Sequence, residues 1–525
     1  MAYRRTTDSG DDLCPFGNPD GASATPADLT TNFVTFESRA RSGGVAIPAA
    51  ADTRTRVLVG RKGSGKTIYM RRLQLNASKR GDVYADRVQQ DVPTTQNVLL
   101  FSRWFSDQLL TEYWMQLWLR ALIRSVISHL LRNPKLSPQV TNEDRQLLSS
   151  AFPELLRSYS AYVSTYSQVN EIIMEHHSQS SITQYLSHPK WAELETVLAR
   201  ILSSSKTISL YLDATDESYS SAPFHWLRCQ KGLFYQIMRL LNAESTLGRK
   251  LHVTVALRDV VLASVYDDEG SARFRGEPHI QILSWSRDTI KHFLGRKISK
   301  LNGVFLSEEK KPANTLEDWL GVDEISSRCN RHTEPLTTYV LRHTRLLPRD
   351  IVIFGNMLCH HLIDPVAART SDIRQLITTV TEASARIFAS EQLTICGAEL
   401  ASLLADNKLS PASLGRVQKT AAVNFLKTAI SQIGHERFSI KRLREAQRFV
   451  NRIHGGNVDV FSLLWTHGLI GYVDNADGSE HHVFYSDQRM DEFRLPLTRS
   501  TYVLHPILSR IVRLNPSDKA PIEPL

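Results

Sequence analysis

The chain has 525 residues, more than one domain core commonly holds, and 42% hydrophobic and 22% charged residues supply apolar material for about two to four packed units. These proportions exclude a disordered or fibrous chain, and no apolar run approaches the roughly 18 residues that span a bilayer, so no membrane span is expected. The formal net charge of +9 leaves polyanion binding open without establishing it.

Residues 1–32 are rich in Gly, Pro, Asp, Ser and Thr and show little apolar periodicity, which predicts a mobile tail. Arg4 and Arg5 are followed by polar and acidic residues through Asp12, where an export signal needs an apolar run. Cys14, Cys229, Cys329, Cys359 and Cys396 are widely spaced and form no CxxC or Cys/His cluster, so they read as free thiols. Both observations favour a cytoplasmic setting.

Residues 33–285 alternate strand-length apolar runs, at 57–59, 83–85, 208–212, 252–257 and 280–283, with helical patterns. That alternation predicts an α/β fold, a parallel sheet covered by helices. A helical insertion over about 101–202 interrupts it. There Tyr113, Trp114, Leu117, Trp118, Ala121, Leu122, Val126 and Leu130 form a packing stripe, with Glu112, Gln116, Arg120, Arg124, Ser128 and Arg132 on the opposite row.

The run Gly60-Arg61-Lys62-Gly63-Ser64-Gly65-Lys66-Thr67 fits GxxxxGK[ST] between an apolar strand and a helix over 68–75. Gly60, Gly63 and Gly65 permit a tight turn close to phosphate, and the following helix aims free N–H groups and its positive dipole end at the anion. Lys66 adds charge at the β and γ phosphates. The Thr67 hydroxyl is a hard ligand suited to Mg²⁺. ATP with Mg²⁺ is the ligand this segment predicts. Downstream, the strand 208–212 ends in Asp213, placed to hold Mg²⁺ through water, and Asp216 and Glu217 are the candidates to polarise the attacking water.

The strand 252–257 ends in Arg258-Asp259, an arginine beside a carboxylate that can hold it. Residues 286–430 read as mostly helical. Within them Pro348 suits a first helical position and Arg349 projects from the helix start, with Arg345 as the competing candidate. In residues 431–525 two helical patterns precede a hairpin, which suggests a winged-helix module. Its basic helix, 441–452, aligns Arg444, Arg448 and Arg452 on one ridge beside Lys441 and Arg442, interrupted by Glu445. That ridge suits DNA phosphates, an acidic partner or plain solvent. The Glu175-His176-His177 and Glu480-His481-His482 runs lack metal-site spacing and read as loop residues.

At these residues the chain resembles the ASCE division of P-loop ATPases, particularly bacterial STAND-like, KAP-like and AAA+-like ATPases with a helical lid and a C-terminal winged helix. The stretch ending at Glu217 looks like the hhhhDxxDE form of Walker B. Ala214 stands where the family has a small Gly, and the residue after Asp213 is not the Glu of AAA+ proteins, so the water-activating carboxylate stays open between Glu217 and Asp216. The resemblance implies a strand between the P-loop and Walker B strands ending in a polar sensor, here Arg258, which would contact the γ phosphate or position Asp213 while Asp259 holds it, and a lid arginine, Arg349, that reads the γ phosphate. It implies a Mg-dependent ATPase acting as a conformational switch through a homo-oligomer or protein partner, in bacterial signalling or antiviral defence. An origin-initiator-like DNA-binding ATPase and a nucleotide-binding scaffold with little hydrolysis are the alternatives.

Overall fold

The computed structural model describes residues 14–30, 33–34, 55–152, 164–213, 219–242, 246–268, 271–306, 313–326, 333–363, 372–404, 416–454, 459–475, 480–485 and 494–514. Five parallel strands, β1 (Val57–Val59), β2 (Val83–Gln89), β3 (Thr207–Leu212), β4 (Leu251–Leu257) and β5 (Ile280–Ile282), form where the apolar runs predicted them. They lie in the order β2-β3-β4-β1-β5. Val57 is in register with Val255 on one side and Ile280 on the other, and Ile208 with Leu251. β1 is buried along its length, as a central strand with helices on both faces requires.

The insertion between β2 and β3 is helical throughout its described elements, from Thr95–Arg103 to Lys190–Ser204. Its long helix Asp107–Arg132 buries Trp114 and Trp118 as the stripe predicted. Its opposite row is covered in part: Glu112 is exposed, whereas Arg124 and Ser128 are buried. Arg120 pairs with Glu195, and Arg124, fully buried, is held by Glu175 and Tyr185 from the neighbouring helices. Close approach to the helix Pro223–Asn242 is permitted at Gly232, where an added Cβ would lie 2.5 Å from that of Trp114.

Two further apolar cores follow. One joins Phe16 to helices of residues 290–380, including Arg287–Ile298 and Pro348–Ile363, with the small antiparallel pair β6 (Glu324–Ser326) and β7 (Thr333–Pro335) at its side. The other joins residues 385–433 to the C-terminal elements. The helix Ile373–Leu404 therefore serves both cores, and the apolar division falls inside it rather than near residue 430. Among the described residues it is also the one helix long and apolar enough to cross a membrane, and most of its buried apolar side chains belong to these two cores.

The C-terminal portion holds an antiparallel sheet of β8 (Arg437–Ser439), β9 (Ile470–Asp474), β10 (His481–Phe484) and β11 (Thr501–Leu504), in the order β10-β9-β11-β8. The helices Ile440–His454 and Val460–Thr466 pack with it. The hairpin β9-β10 was legible in the sequence. β8 and β11, three and four residues long, carry too little pattern to read.

Residues 14–30 depart from the mobile tail expected over 1–32. Phe16 is fully buried, its N–H donates to Asn356 Oδ1 at 2.8 Å, and Asn356 Nδ2 donates to the Gly17 carbonyl at 3.0 Å. Thr25 and Asp28 form a reciprocal capping box at the short helix Pro26–Leu29. Arg71 and Arg72 donate to the carbonyls of Gly21, Ala22 and Leu29. Polar composition misleads here because the segment is held largely through its backbone.

Candidate functional site

The loop after β1 turns into the helix Lys66–Ser78 through two left-handed glycines, Gly63 with φ 91° and Gly65 with φ 96°. A side chain at either would cost on the order of 1–2 kcal/mol. At Gly60 an added Cβ would meet Ser64 Oγ at 2.5 Å. Gly65 precedes the helix and offers no side-chain cap, so the first-turn N–H groups and the positive dipole end are left for an anion. Buried Lys66 folds back over the loop, its Nζ donating to the carbonyls of Gly60 at 2.9 Å and Arg61 at 3.1 Å. These bonds hold the ammonium at the turn.

The loop opens into a pocket of about 330 Å³, lined at one end by Lys62, Gly63, Ser64, Gly65, Lys66 and Thr67. Phe16, Phe33, Trp285, Phe293 and Val352 supply an apolar, largely aromatic lining. The 14–30 segment forms one wall, with Gly21 so close to Thr67 that an added Cβ would lie 2.9 Å from the threonine Cβ. Trp285 is fixed by donating to the Ser64 carbonyl at 3.0 Å, and Lys297 also lines the pocket. Burial lowers the Lys297 ammonium to about 8, with Asp28 opposing the shift.

Arg349 lines this pocket at the start of the helix Pro348–Ile363. Its N–H donates to the Gly63 carbonyl at 3.3 Å, and its Nη1 donates to Glu391 Oε1 at 2.7 Å. Arg345 is elsewhere: its side chain clasps fully buried Asp350, with Nη2 to Oδ1 at 2.6 Å and Nε to Oδ2 at 3.0 Å. Between them Leu346 has φ 55°, an unusual value for leucine, in the turn that aims the helix.

Asp213 is buried at the end of β3, its N–H donating to the Gln89 carbonyl and its own carbonyl accepting from Tyr166 OH. It is not among the residues lining the large pocket. Asp216 and Glu217 lie outside the described residues, as does Cys329. Arg258 follows β4, its guanidinium 4.5 Å from the centre of the Tyr219 ring. It lines a second, smaller cavity with Arg61, Lys62, Asp259, Arg345, Gln392 and His467. Asp259 Oδ2 stands 4.0 Å from Nε of the P-loop residue Arg61.

That smaller cavity is closed by the C-terminal portion. The Arg61 guanidinium lies 5.7 Å from the Tyr485 ring centre, and a Cβ at Gly468 would fall 2.6 Å from Arg61 Nη2. Buried His505 is depressed to about 3, by burial first and then by the charges of Arg61 and Arg345, and so is neutral at ordinary pH.

Of the two His-rich runs, Glu175 is committed to Arg124, and His482 lies between Glu480 and Arg437. Among the described residues no group of three or more His, Cys, Asp or Glu is placed to hold a metal by itself. Sequence reasoning missed Phe16, Trp285, Asn356 and Glu391. A signal for the first was present in Thr25-Pro26-Ala27-Asp28, a capping-box pattern inside the supposed tail. No protein-family model, curated protein or solved structure matches the chain.

Proposed function

We propose that the chain binds ATP with Mg²⁺ in the large pocket and hydrolyses it to drive a conformational switch. The observation that carries this reading is a single cavity joining an uncapped helix start and Lys66 to an aromatic lining. Several N–H donors and an ammonium suit polyphosphate, and aromatic rings suit a planar base. The order β3-β4-β1 supports an ASCE-like core, since it sets one strand between the P-loop strand and the strand ending in Asp213. No NKxD run follows β3, which favours ATP over GTP.

In this reading Lys66 leaves the Gly60 and Arg61 carbonyls for the β and γ phosphates. Thr67, and Asp213 through water, would hold Mg²⁺, which would supply charge neutralisation. Glu217 or Asp216 polarises the attacking water, and Arg258 and Arg349 act as sensors. Positioning and charge stabilisation suffice for phosphoryl transfer, so no covalent nucleophile is needed. The helices after β5 form the lid, and the C-terminal portion is a winged-helix module in a cytoplasmic protein.

A second reading rests on the exposed side chains of Arg444, Arg448 and Arg452 along the helix Ile440–His454. They favour contact with duplex DNA or an acidic protein partner, including another copy of the chain. The helix Val460–Thr466 is largely buried, so DNA contact through it requires the module to undock.

Lys66→Ala tests the main reading. The variant should keep its fold and lose ATP affinity by about 10- to 150-fold, the equivalent of one charged hydrogen bond of about 1.5–3 kcal/mol. Equilibrium binding of a fluorescent ATP analogue measures this. Parent-like binding and turnover would remove the P-loop assignment.

A further inference from the structure

The helix Ile373–Leu404 carries Glu391, Gln392 and Glu399 on the side where the large pocket, the Arg345 clasp and the C-terminal portion meet. Arg349, on the pocket wall, donates to Glu391 Oε1 at 2.7 Å. Glu391 Oε2 also accepts from Arg345 Nη2 at 3.4 Å, and Arg345 Nη1 donates to Gln392 Oε1 at 2.7 Å. Because the guanidinium can only donate, it fixes the Gln392 amide with its oxygen toward Arg345 and its NH₂ toward His467. His467 Nδ1, 2.6 Å from that NH₂, must therefore accept. The ring proton is left on Nε2, 3.0 Å from Glu399 Oε2.

A continuous, directionally fixed chain thus runs from the pocket wall to His467, which ends the helix Val460–Thr466 in the C-terminal core. Its two arginines differ. Arg345 is 8% exposed and locked to buried Asp350, whereas the Arg349 and Glu391 side chains are 32% and 23% exposed. An ion pair so near solvent is weak, and a group carrying several negative charges beside it can take the arginine.

We propose that Glu391 is a positioning residue that holds Arg349 away from the third phosphate, and that exchange of Arg349 from Glu391 to that phosphate loosens the docking of the C-terminal portion through Gln392 and His467. This rests on the nucleotide reading above. ADP lacks the competing phosphate, so only the triphosphate draws Arg349 away. The ion-pair exchange then weakens the hold on His467 beside Arg61, and linkage makes the effect reciprocal.

The test uses the full chain with ATP and ADP in competition binding, together with hydrogen exchange of residues 460–472. Glu391→Gln keeps the side-chain shape, removes the charge and should raise the preference for ATP over ADP by about 2- to 5-fold, the scale of a partly exposed pair. In an Arg349→Ala background the same substitution should change nothing, which a merely structural role for Glu391 would not produce. Exchange at 460–472 should be faster with ATP than with ADP in the parent, and equal in Arg349→Ala. An unchanged preference in Glu391→Gln, the same change without Arg349, or equal exchange with both nucleotides in the parent would overturn the coupling while leaving the nucleotide site intact. A parent that binds neither nucleotide would overturn the site itself and the coupling with it.

Discussion

Arg345 and Arg349 sit one helical turn apart in sequence, and their surroundings separate their roles. Replacing Arg345 by Ala strands the fully buried Asp350 carboxylate, so the expected loss is one of stability, about 3–5 kcal/mol in urea denaturation. Replacing Arg349 by Ala leaves the more exposed Glu391 and should spare stability. Under the proposed function it should instead lower the preference for ATP over ADP by about 10- to 150-fold in competition binding, since a ligand shifts an equilibrium only through differential affinity. A larger loss of preference in the Arg345 variant would relocate the sensor. At the same scale, Lys297 predicts a pH dependence. Its folded pKa of about 8 lies below the ordinary 10.5, so between those values the unfolded chain binds more protons and stability rises with pH. Below about 8 this contribution is flat. Lys297→Met should remove the rise, read as the difference between parent and variant in denaturation at pH 7.5 to 10, and parallel curves would show that Lys297 is not the titrating group.

At the scale of elements, legibility follows the range of the contacts. The five parallel strands and the P-loop could be read because each is specified by a few adjacent residues, such as Val57 to Val59 followed by Gly60. The segment 14–30 could not, because Phe16 meets Asn356 across 340 positions of sequence. The site was legible to the same degree: Lys66, Thr67 and Arg349 line the pocket, but its aromatic lining comes from segments that no local pattern links. Gly355 tests that long-range contact. In an exposed helix Gly→Ala adds about 1 kcal/mol of stability. Here the new Cβ would fall 2.3 Å from the Phe16 ring, which Asn356 holds in place. Gly355→Ala should therefore expose residues 14–30 to protease and weaken nucleotide binding roughly tenfold, by loss of part of the pocket wall. Protection equal to the parent, with unchanged affinity, would show that the segment is not required for the site.

Across the whole molecule, the large pocket lies where residues 16–21, the P-loop and the helices of residues 285–352 come together, while its lining includes nothing from the C-terminal core. A ligand that binds only this arrangement stabilises every part that must open to release it. At about 100 times its dissociation constant ATP should add about 2.7 kcal/mol to the cores around the pocket. For units of roughly 150–250 residues, where 1 kcal/mol moves the midpoint by about 2–4 °C, that corresponds to a rise of about 5–11 °C. The C-terminal core touches the P-loop through Arg61, at Tyr485 and Gly468, and should share little of this gain. Hydrogen exchange resolves the difference: with ATP, protection should increase at residues 57–75 and 285–352 and change little in the strands β10 and β11 of residues 481–504. Lys66→Ala should abolish the increase at both pocket segments together, because each is stabilised only through the shared ligand. Protection confined to 57–75 would mean that the ligand does not bridge to the helices after β5, and the lid mechanism would then fail even with the P-loop occupied.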